Sequence, residues 1–314
     1  MRQPRTGMRI STLTRRFFWR WSLSRRIQMA QSKNAVVTGG ASGMGLEMAR
    51  HIVERGGKVL IADMDSDALK LAASELGEAA FTFEADVSRE SDIEAMADEA
   101  FDKLGQVDLV FANAGLQFDA PLLEATPHEF DLQYGANVKG SWMTAKAFAN
   151  RWIERGEQGR ICFTGSEHSL GFQHDGAGLY TGTKHAILGL AEVMRREMPE
   201  AVGISVFCPG LVNTGFYASR EKAGLEEDAE ALRTGEKLMA RGMPASKAAG
   251  AAVEGAMMGE WLIMTHAVAR EGAKERWDEI DDAFQRQAPP GSDDANYKVT
   301  ELKEQIESEE PPPR

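Results

Sequence analysis

A glycine-rich turn near residue 40 constrains the fold of this chain more than any other stretch. Residues 33–45 read KNAVVTGGASGMG, in which a short apolar run precedes four glycines, and helical periodicity begins at Leu46. This order predicts a strand, a tight turn and the start of a helix. Glycines allow a pyrophosphate to approach the backbone N–H groups at a helix N-terminus, where the helix dipole favours an anion. We therefore predict a dinucleotide site here, formed by Gly39, Ser42, Gly43, Met44 and Gly45.

The rest of the chain decides between this site and a glycine-rich loop that binds nothing, because glycine spacing alone is a weak signal. Apolar runs alternate with amphipathic segments, a pattern that predicts an α/β fold with a doubly wound parallel sheet of about seven strands. Ligands of such sheets bind at the carboxyl ends of the strands. After the first strand, the predicted strands span residues 58–62, 80–85, 107–112, 159–164, 204–208 and 261–264, and the predicted helices include 43–55, 91–104, 129–155, 180–198, 246–258 and 270–286.

The chain divides into three predicted regions: a basic extension at residues 1–29, an α/β domain at 30–287 and an acidic disordered tail at 288–314. Residues 1–29 contain eight arginines and no acidic residue, which is typical of a mitochondrial transit peptide or a membrane-surface helix. A start of translation at Met29 is the third alternative. Residues 214–242 are polar and interrupt the alternation, so we predict that they form a lid over the ligand. The tail combines prolines with acidic residues, a composition typical of disorder.

Composition excludes several classes of function. The formal net charge of -12 argues against nucleic-acid binding, which needs clustered Lys and Arg. No apolar run approaches the roughly 20 residues of a membrane-spanning helix. Cys162 and Cys208 lie in apolar, strand-like runs, so we expect buried, reduced thiols and a cytoplasmic location, or the mitochondrial matrix if the extension is a transit peptide. The six histidines show no spacing typical of metal ligands, so we expect no metal.

Polar residues close the next three predicted strands. Asp63 lies 24 residues after Gly39, where a carboxylate can accept hydrogen bonds from an adenosine ribose and repel a 2′-phosphate. This position favours NAD over NADP. The alternative is that Asp63 is the N-cap of a helix that begins near Ser66. Met64 follows it, and the third and fourth strands end in comparable turns, Asp86-Val87 and Asn113-Ala114-Gly115.

The pair Tyr180 and Lys184 supplies a candidate for proton transfer. On a helix, the i, i+4 spacing places the phenol and the ammonium on one face about 6 Å apart. The positive charge can then lower the pKa of the tyrosine towards the range of a general acid or base. Ser166 follows the fifth strand and Asn137 lies on the long helix at 129–155, so both complete a four-part site at the carboxyl edge of the sheet.

As a set, these motifs resemble the short-chain dehydrogenase/reductase family in its single-domain, Rossmann-fold form, over about residues 33–285. The resemblance implies a catalytic domain that transfers hydride directly between a secondary alcohol or ketone and NAD, and a homodimer or homotetramer. The matching motifs are Thr38-Gly39 with Gly43 and Gly45, Asp86, Asn113-Ala114-Gly115, Asn137, Ser166, Tyr180 with Lys184, and Pro209-Gly210 followed by Thr214.

The resemblance also implies a role for each residue. Tyr180 exchanges the proton with the substrate oxygen, to which Ser166 hydrogen-bonds. Lys184 holds the nicotinamide ribose and lowers the tyrosine pKa, and Asn137 retains a water in a proton relay. The cofactor is further bordered by Asp86 and Val87 at the adenine and by Val212 and Thr214 at the carboxamide.

Two features depart from the family pattern. The gap from Ser166 to Tyr180 is one residue longer than usual, and Glu167-His168 stand where small residues are common. Ser169 is therefore a second candidate for the serine role, and His168, like His174 and Asp175, could be structural or could line the pocket.

The substrate is expected to be apolar, with cyclic and aromatic compounds as candidates, because several apolar side chains fall near strand ends. These are Phe118, Leu170, Phe172, Phe216 and Tyr217, some of which could instead pack in the core or the lid. A non-catalytic redox sensor or scaffold on the same fold is the alternative function.

Overall fold

The computed structural model describes residues 33–171, 174–226, 229–289 and 298–309. The strands of its main sheet are β1 (Ala35–Thr38), β2 (Val59–Asp63), β3 (Ala80–Glu84), β4 (Leu109–Ala112), β5 (Gly159–Thr164), β6 (Val202–Cys208) and β7 (Leu262–Met264). All pair in parallel, in the order β3-β2-β1-β4-β5-β6-β7. The predicted doubly wound sheet of seven strands is therefore confirmed.

Helices cover both faces of this sheet, because its strands are apolar on both sides. In β1, Val36 packs into one core cluster, whereas Ala35 and Val37 pack into the other. The helices are α1 (Gly43–Glu54), α2 (Ser66–Leu76), α3 (Glu90–Leu104), α4 (Pro127–Gln133), α5 (Ser141–Arg155), α6 (Gly178–Glu197), α7 (Ala229–Met239), α8 (Ala245–Met258), α9 (Ala269–Gln287) and α10 (Val299–Glu309). The first cluster lies under α3, α5 and α6, and the second lies under α1, α2 and α8.

The long helix predicted at 129–155 contains an irregular segment. A π-helix at Tyr134–Gly140 separates α4 from α5 and includes Asn137. Within it, Gly140 lies so close to Val87 that a Cβ there would be 2.9 Å from the carbonyl oxygen of Val87. π-Helical turns inside α-helices often mark functional sites, since they re-aim side chains.

The segment predicted to form a lid (residues 214–242) is flanked by a second, two-stranded parallel pairing. Val212–Asn213 pairs with Met243–Pro244, one segment on each side of the lid. Between them the chain forms a 3-10 turn at Gly215–Ala218, a helical turn at Ser219–Lys222 and then α7. Val212 also packs in the second core cluster and Met243 packs against it, so both ends of this segment are held by the body of the protein.

The remaining predictions have mixed outcomes. Cys162 and Cys208 are buried free thiols, as predicted. Residues 1–29 lie outside the described residues. The prediction of a disordered tail is wrong for α10, because this segment is rich in the strong helix formers Leu, Glu, Lys and Gln. Among the described residues, none of the helices has the length and apolar character to cross a membrane.

Candidate active site

The glycine turn joins β1 to α1 at the carboxyl edge of the sheet. Gly39 has a φ of +63°, a conformation that residues with a side chain rarely adopt. A Cβ at Gly45 would lie only 2.0 Å from the carbonyl oxygen of Gly39, so no side chain fits there. Ser42 is the N-cap residue of α1, yet its side chain makes no capping hydrogen bond. The helix therefore presents its first N–H groups without a side-chain cap, an arrangement suited to an anion.

Asp63 ends β2 beside this turn. One carboxylate oxygen accepts a hydrogen bond from the N–H of Ala41 at 3.2 Å, and the other accepts from the N–H of Asp65 at 3.3 Å. The N-cap of α2 is Asp65, whose side chain accepts two N–H groups of the first turn. The alternative that Asp63 caps this helix is therefore wrong, and Asp63 is held against the glycine turn instead. Met64, which follows it, is exposed.

A hydrogen-bond network joins the ends of β1, β4 and β5. Thr38 Oγ1 accepts from the N–H groups of Asn113 and Ala114 at 2.9 and 3.1 Å. The amide of Asn113 donates to the carbonyl oxygens of Thr38 and Gly39, and its oxygen accepts from Thr164 Oγ1 at 3.2 Å. Asn113 therefore links the glycine turn to β5 through hydrogen bonds and fixes their relative position.

The turn after β3 holds Asp86 and Val87. One oxygen of Asp86 accepts from the N–H and hydroxyl of Ser88 at 2.9 and 2.7 Å, and the other lies 3.3 Å from Arg89 Nε. Both oxygens thus have protein partners and stabilise the turn that leads to α3. Val87 packs against the π-helix at Gly140.

The segment after β6 meets the glycine turn from the other side. A Cβ on Gly43 would lie 3.4 Å from Thr214 Cβ, so these two predicted cofactor-binding residues face each other. Val212 is buried among the apolar residues of the second core cluster, and Met44 packs against the same cluster. The stretch Pro209-Gly210 connects β6 to this contact.

His266, which the sequence did not predict as a site residue, fixes the segment after β6. Its Nδ1 accepts from the N–H of Gly210 at 3.0 Å, so the proton is on Nε2, which lies 3.1 Å from the carbonyl oxygen of Leu211. His266 follows β7, and only the pairing of β7 with β6 brings it to the site. A single histidine more than fifty residues away carries no sequence signal for this contact.

Tyr180 lies in the first turn of α6 and is buried. Burial raises the pKa of its phenol above the ordinary value; a hydrogen bond with Ser166 opposes the rise, while the negative charges of Asp119 and Glu167 add to it. The phenol is therefore protonated at neutral pH. The structure thus brings together Ser166 and Tyr180, as the sequence predicts.

Lys184 lies one turn further along α6. Its Nζ is 5.3 Å from the centroid of the Tyr180 ring and donates to the carbonyl oxygen of Thr164 at 2.8 Å. Burial lowers the pKa of Lys184 to about 8. The pKa of Tyr180 is not lowered as expected, because burial of the phenol outweighs the hydrogen bond with Ser166.

Asn137 is buried next to the loop that follows β4. Its amide nitrogen donates to the carbonyl oxygen of Leu116 at 2.8 Å and to Thr183 Oγ1 at 3.0 Å, and its oxygen accepts from the N–H of Leu116 at 2.7 Å. A Cβ on Gly115 would lie 3.0 Å from that oxygen. Both amide hydrogens are therefore used, and only oxygen atoms of Asn137 remain as partners for a water.

The residues near Ser166 have two kinds of position: some stabilise the turn after β5, and others lie beside Tyr180. Ser169 is buried and its hydroxyl accepts from the N–H of Ser166 at 3.1 Å, so it completes the capping box of a short 3-10 turn whose N-cap is Ser166. His168 contacts Tyr180 edge-on with ring centroids 5.3 Å apart, and it contacts His174 in the same way at 5.1 Å. Burial lowers the pKa of His168 to about 4, so it is neutral at pH 7. Asp175 is exposed beside His174.

The apolar residues expected near the substrate have different positions. Phe216 contacts the Tyr180 ring, with centroids 5.9 Å apart and an interplanar angle of 62°. Phe118 is buried, Leu170 packs against the first core cluster, and Tyr217 lies against Gly235 of α7. Phe172 lies outside the described residues. Of this set, Phe216 therefore contacts a predicted catalytic side chain.

Comparisons with known proteins place these features in a family. A sequence model described as short chain dehydrogenase matches residues 33–224. A 1-deoxy-11-beta-hydroxypentalenate dehydrogenase of Streptomyces exfoliatus is 36% identical over 208 residues, which cover 62% of this chain and 74% of that protein. Among solved structures, a short chain dehydrogenase/reductase from Burkholderia phymatum in complex with NAD has a TM-score of 0.75 at 27% identity, covering 80% of this chain and 95% of that one.

A second solved structure carries a different cofactor. It is an alcohol dehydrogenase of the archaeon Thermococcus sibiricus complexed with 5-hydroxy-NADP, with a TM-score of 0.64 at 27% identity, covering 76% of this chain and 98% of that one. Similar structures thus hold either nucleotide. Among the described residues, no group of His, Cys, Asp and Glu could hold a metal ion.

Proposed function

Because the chain belongs to the short-chain dehydrogenase/reductase family, we propose that it is an NAD-dependent oxidoreductase that interconverts a secondary alcohol and a ketone by direct hydride transfer. In this proposal residues 30–287 are the catalytic domain and the lid covers the substrate. The observation that carries the proposal is the convergence of Ser166, Tyr180 and Lys184. Lys184 is connected to the glycine turn through Thr164, which donates to Asn113.

The residues present fit a dinucleotide. Gly39 and Gly45 allow the tight packing of the turn, since a Cβ on either would collide with backbone atoms, and the uncapped start of α1 offers N–H donors to a pyrophosphate. When bound, the nicotinamide supplies or accepts the hydride. The turns at Asp86-Val87 and Asn113-Ala114-Gly115, with Pro209, Gly210, Val212 and Thr214, would border it.

The side chains of the site carry out proton transfer and position the reacting groups. Tyr180 is protonated at neutral pH, so in reduction it donates its proton to the substrate oxygen. In oxidation the phenol must first release its proton to solvent, and the phenolate then takes the proton of the substrate hydroxyl. Ser166, which hydrogen-bonds with Tyr180, holds the same substrate oxygen. Lys184 orients the ribose. A relay water would contact Asn137 through an oxygen atom, because both amide hydrogens have partners.

Asp63 supports the choice of NAD. Its carboxylate is fixed by backbone N–H groups beside the glycine turn, where it would repel a 2′-phosphate. We expect Asp63→Ala to shift the kcat/KM ratio towards NADP. Asp65→Ala is the matched control, because it removes the cap of α2 and should lower stability without changing that ratio. An unchanged ratio in Asp63→Ala would contradict the ribose role.

A substrate panel tests the reaction. Purified protein is assayed with NAD and NADP against secondary alcohols, and with the reduced nucleotides against ketones, by absorbance of the reduced cofactor. Tyr180→Phe should retain the fold and lose turnover by at least about 100-fold, the usual scale of general acid–base catalysis. Full activity in that variant would refute the mechanism, and nucleotide binding without turnover on any substrate would favour a sensor or scaffold.

We also propose that the protein is a homodimer or homotetramer that assembles through α5 and α6. These helices carry exposed apolar side chains, of which Trp142 is 43% and Leu190 37% exposed. Both line one surface groove together with Tyr134 and Val138. Exposed apolar surface of this kind is typical of a protein–protein contact.

A further inference from the structure

A partly buried ion pair joins the lid to the body of the protein. Arg220, in the helical turn Ser219–Lys222, donates from Nη1 to Oε1 of Glu129 on α4. The side chains are 23% and 7% exposed, so the contact is shielded from solvent. Four residues before Arg220, Phe216 packs its ring against Tyr180. The ion pair and the wall of the candidate active site therefore belong to the same short stretch of the lid.

We propose that Glu129 and Arg220 are positioning residues that keep the lid closed, with Phe216 against Tyr180. The consequence for turnover rests on the function proposed above, whereas the effect on the lid itself does not. Neither residue belongs to the motifs by which the sequence is identified, and 91 positions separate them.

The environment of Glu129 makes the closed lid favourable. Its second oxygen, Oε2, accepts from the N–H and hydroxyl of Thr126 at 2.7 and 2.9 Å, which forms the capping box of α4. Burial raises the pKa of Glu129, but hydrogen bonds from Thr126 and Arg220 outweigh it and the net pKa is lowered. The carboxylate is thus charged at neutral pH. Opening the lid would leave this buried charge without its cation, which is strongly unfavourable.

Arg220 makes contacts on both sides of this junction. Its Nε donates to the carbonyl oxygen of Glu226 within the lid at 3.1 Å, and its guanidinium carbon lies 5.8 Å from the centroid of the buried Phe118 ring. A planar guanidinium can make these contacts simultaneously, which a lysine ammonium cannot. The lid is therefore fixed at its base by the short parallel pairing and at Arg220 by the ion pair.

The expected effect follows from the fraction of time that the lid is closed. The apparent affinity for a ligand that requires the closed state falls in proportion to that fraction. If loss of the ion pair leaves the lid closed about one-tenth of the time, KM for the alcohol or ketone rises about tenfold. KM for the dinucleotide should change less than about twofold, because the glycine turn does not contact Arg220.

Four variants separate the ion pair from other roles of these residues. Glu129→Gln keeps an acceptor for the capping box but removes the charge, and Arg220→Met removes the cation from the lid. Thr126→Ala weakens the cap of α4 but keeps both members of the pair. Arg196→Met is the matched control, because it breaks an exposed ion pair with Glu192 on α6.

Hydrogen exchange of the cofactor-free protein provides the first measurement. Peptides that cover residues 215–222 should exchange about tenfold faster in Glu129→Gln and Arg220→Met, and at the wild-type rate in Thr126→Ala and Arg196→Met. The double variant should exchange no faster than either single variant. Steady-state kinetics then compare KM for the carbonyl substrate and for NADH across the same set.

Three results would overturn the proposal. The first is unchanged exchange in Arg220→Met, whose side chain lies outside the core and should not disturb folding. The second is equal acceleration in Thr126→Ala, which would assign the effect to helix capping. The third is a rise in both KM values together. Faster lid exchange in a protein that turns over no alcohol or ketone would leave the role of the pair standing and refute the proposed reaction instead.

Discussion

Replacing Lys184 by methionine should stabilise the protein while it abolishes turnover. Lys184 is 4% exposed, and burial lowers its pKa from 10.5 to about 8. One pKa unit corresponds to about 1.4 kcal/mol, so retaining the charge in the folded state at pH 7 destabilises it by about 3 kcal/mol. Methionine has a similar length and no charge. Against this gain, the carbonyl oxygen of Thr164 loses its donor, at about 1 kcal/mol. The expected net gain is about 2 kcal/mol.

The pH dependence identifies the cause. Below about pH 8, Lys184 is protonated in both the folded and the unfolded protein, so the wild type is destabilised by the full cost of burying the charge. Between about pH 8 and 10.5 the folded protein has released a proton that the unfolded chain still binds, so wild-type stability rises with pH. Above this window both states are neutral and the penalty is gone. The advantage of Lys184→Met should therefore disappear towards pH 10.5.

Urea denaturation of the cofactor-free proteins, followed by circular dichroism at pH 7 and pH 10, measures this difference. Lys70→Met is the matched control, because Lys70 is exposed on α2 and paired with Asp67, and it should give no gain at pH 7. A variant that is less stable than the wild type at pH 7, or a difference that is the same at both pH values, would refute the reasoning. NAD-linked turnover of the variant is measured in parallel.

Three further predictions concern the turn, the pocket and the surface. Gly45→Ala should lower the free energy of unfolding by about 2 kcal/mol or more and weaken NAD binding, because its Cβ would collide with Gly39. Gly189 has open space around it, so Gly189→Ala should be neutral or stabilising in the same denaturation assay. Wild-type stability should fall relative to His168→Asn as the pH drops from 6.5 to about 4, since protonation of His168 favours the unfolded chain; parallel acid-denaturation curves would contradict this. Trp142→Glu should lower the oligomeric state in analytical ultracentrifugation if α5 and α6 form the subunit contact, and an unchanged mass would exclude that face.

Local sequence patterns determined the fold to a large extent. The apolar runs and the glycines that end helices are local signals, and they placed all seven strands within a few residues of their observed bounds. The pairing of Tyr180 with Lys184 is local as well, since i, i+4 spacing on a helix fixes their proximity. The same reasoning was wrong for α10, where proline and acid content concealed a run of helix formers.

Other features were decided only by tertiary structure. The sequence suggested Asp63 as a helix cap or a ribose ligand, and the position of Asp65 in space removed the first alternative. The pKa of Tyr180 depends on its burial, which no spacing reveals, and burial outweighs the hydrogen bond with Ser166 that opposes the rise. His266 and the Glu129–Arg220 ion pair join residues far apart in the chain. The sequence by itself determined which helices and strands form and which residues lie at their ends, because these depend on neighbours in the chain. The tertiary structure decided which of those residues are in contact, how deeply they are buried and hence how they ionise.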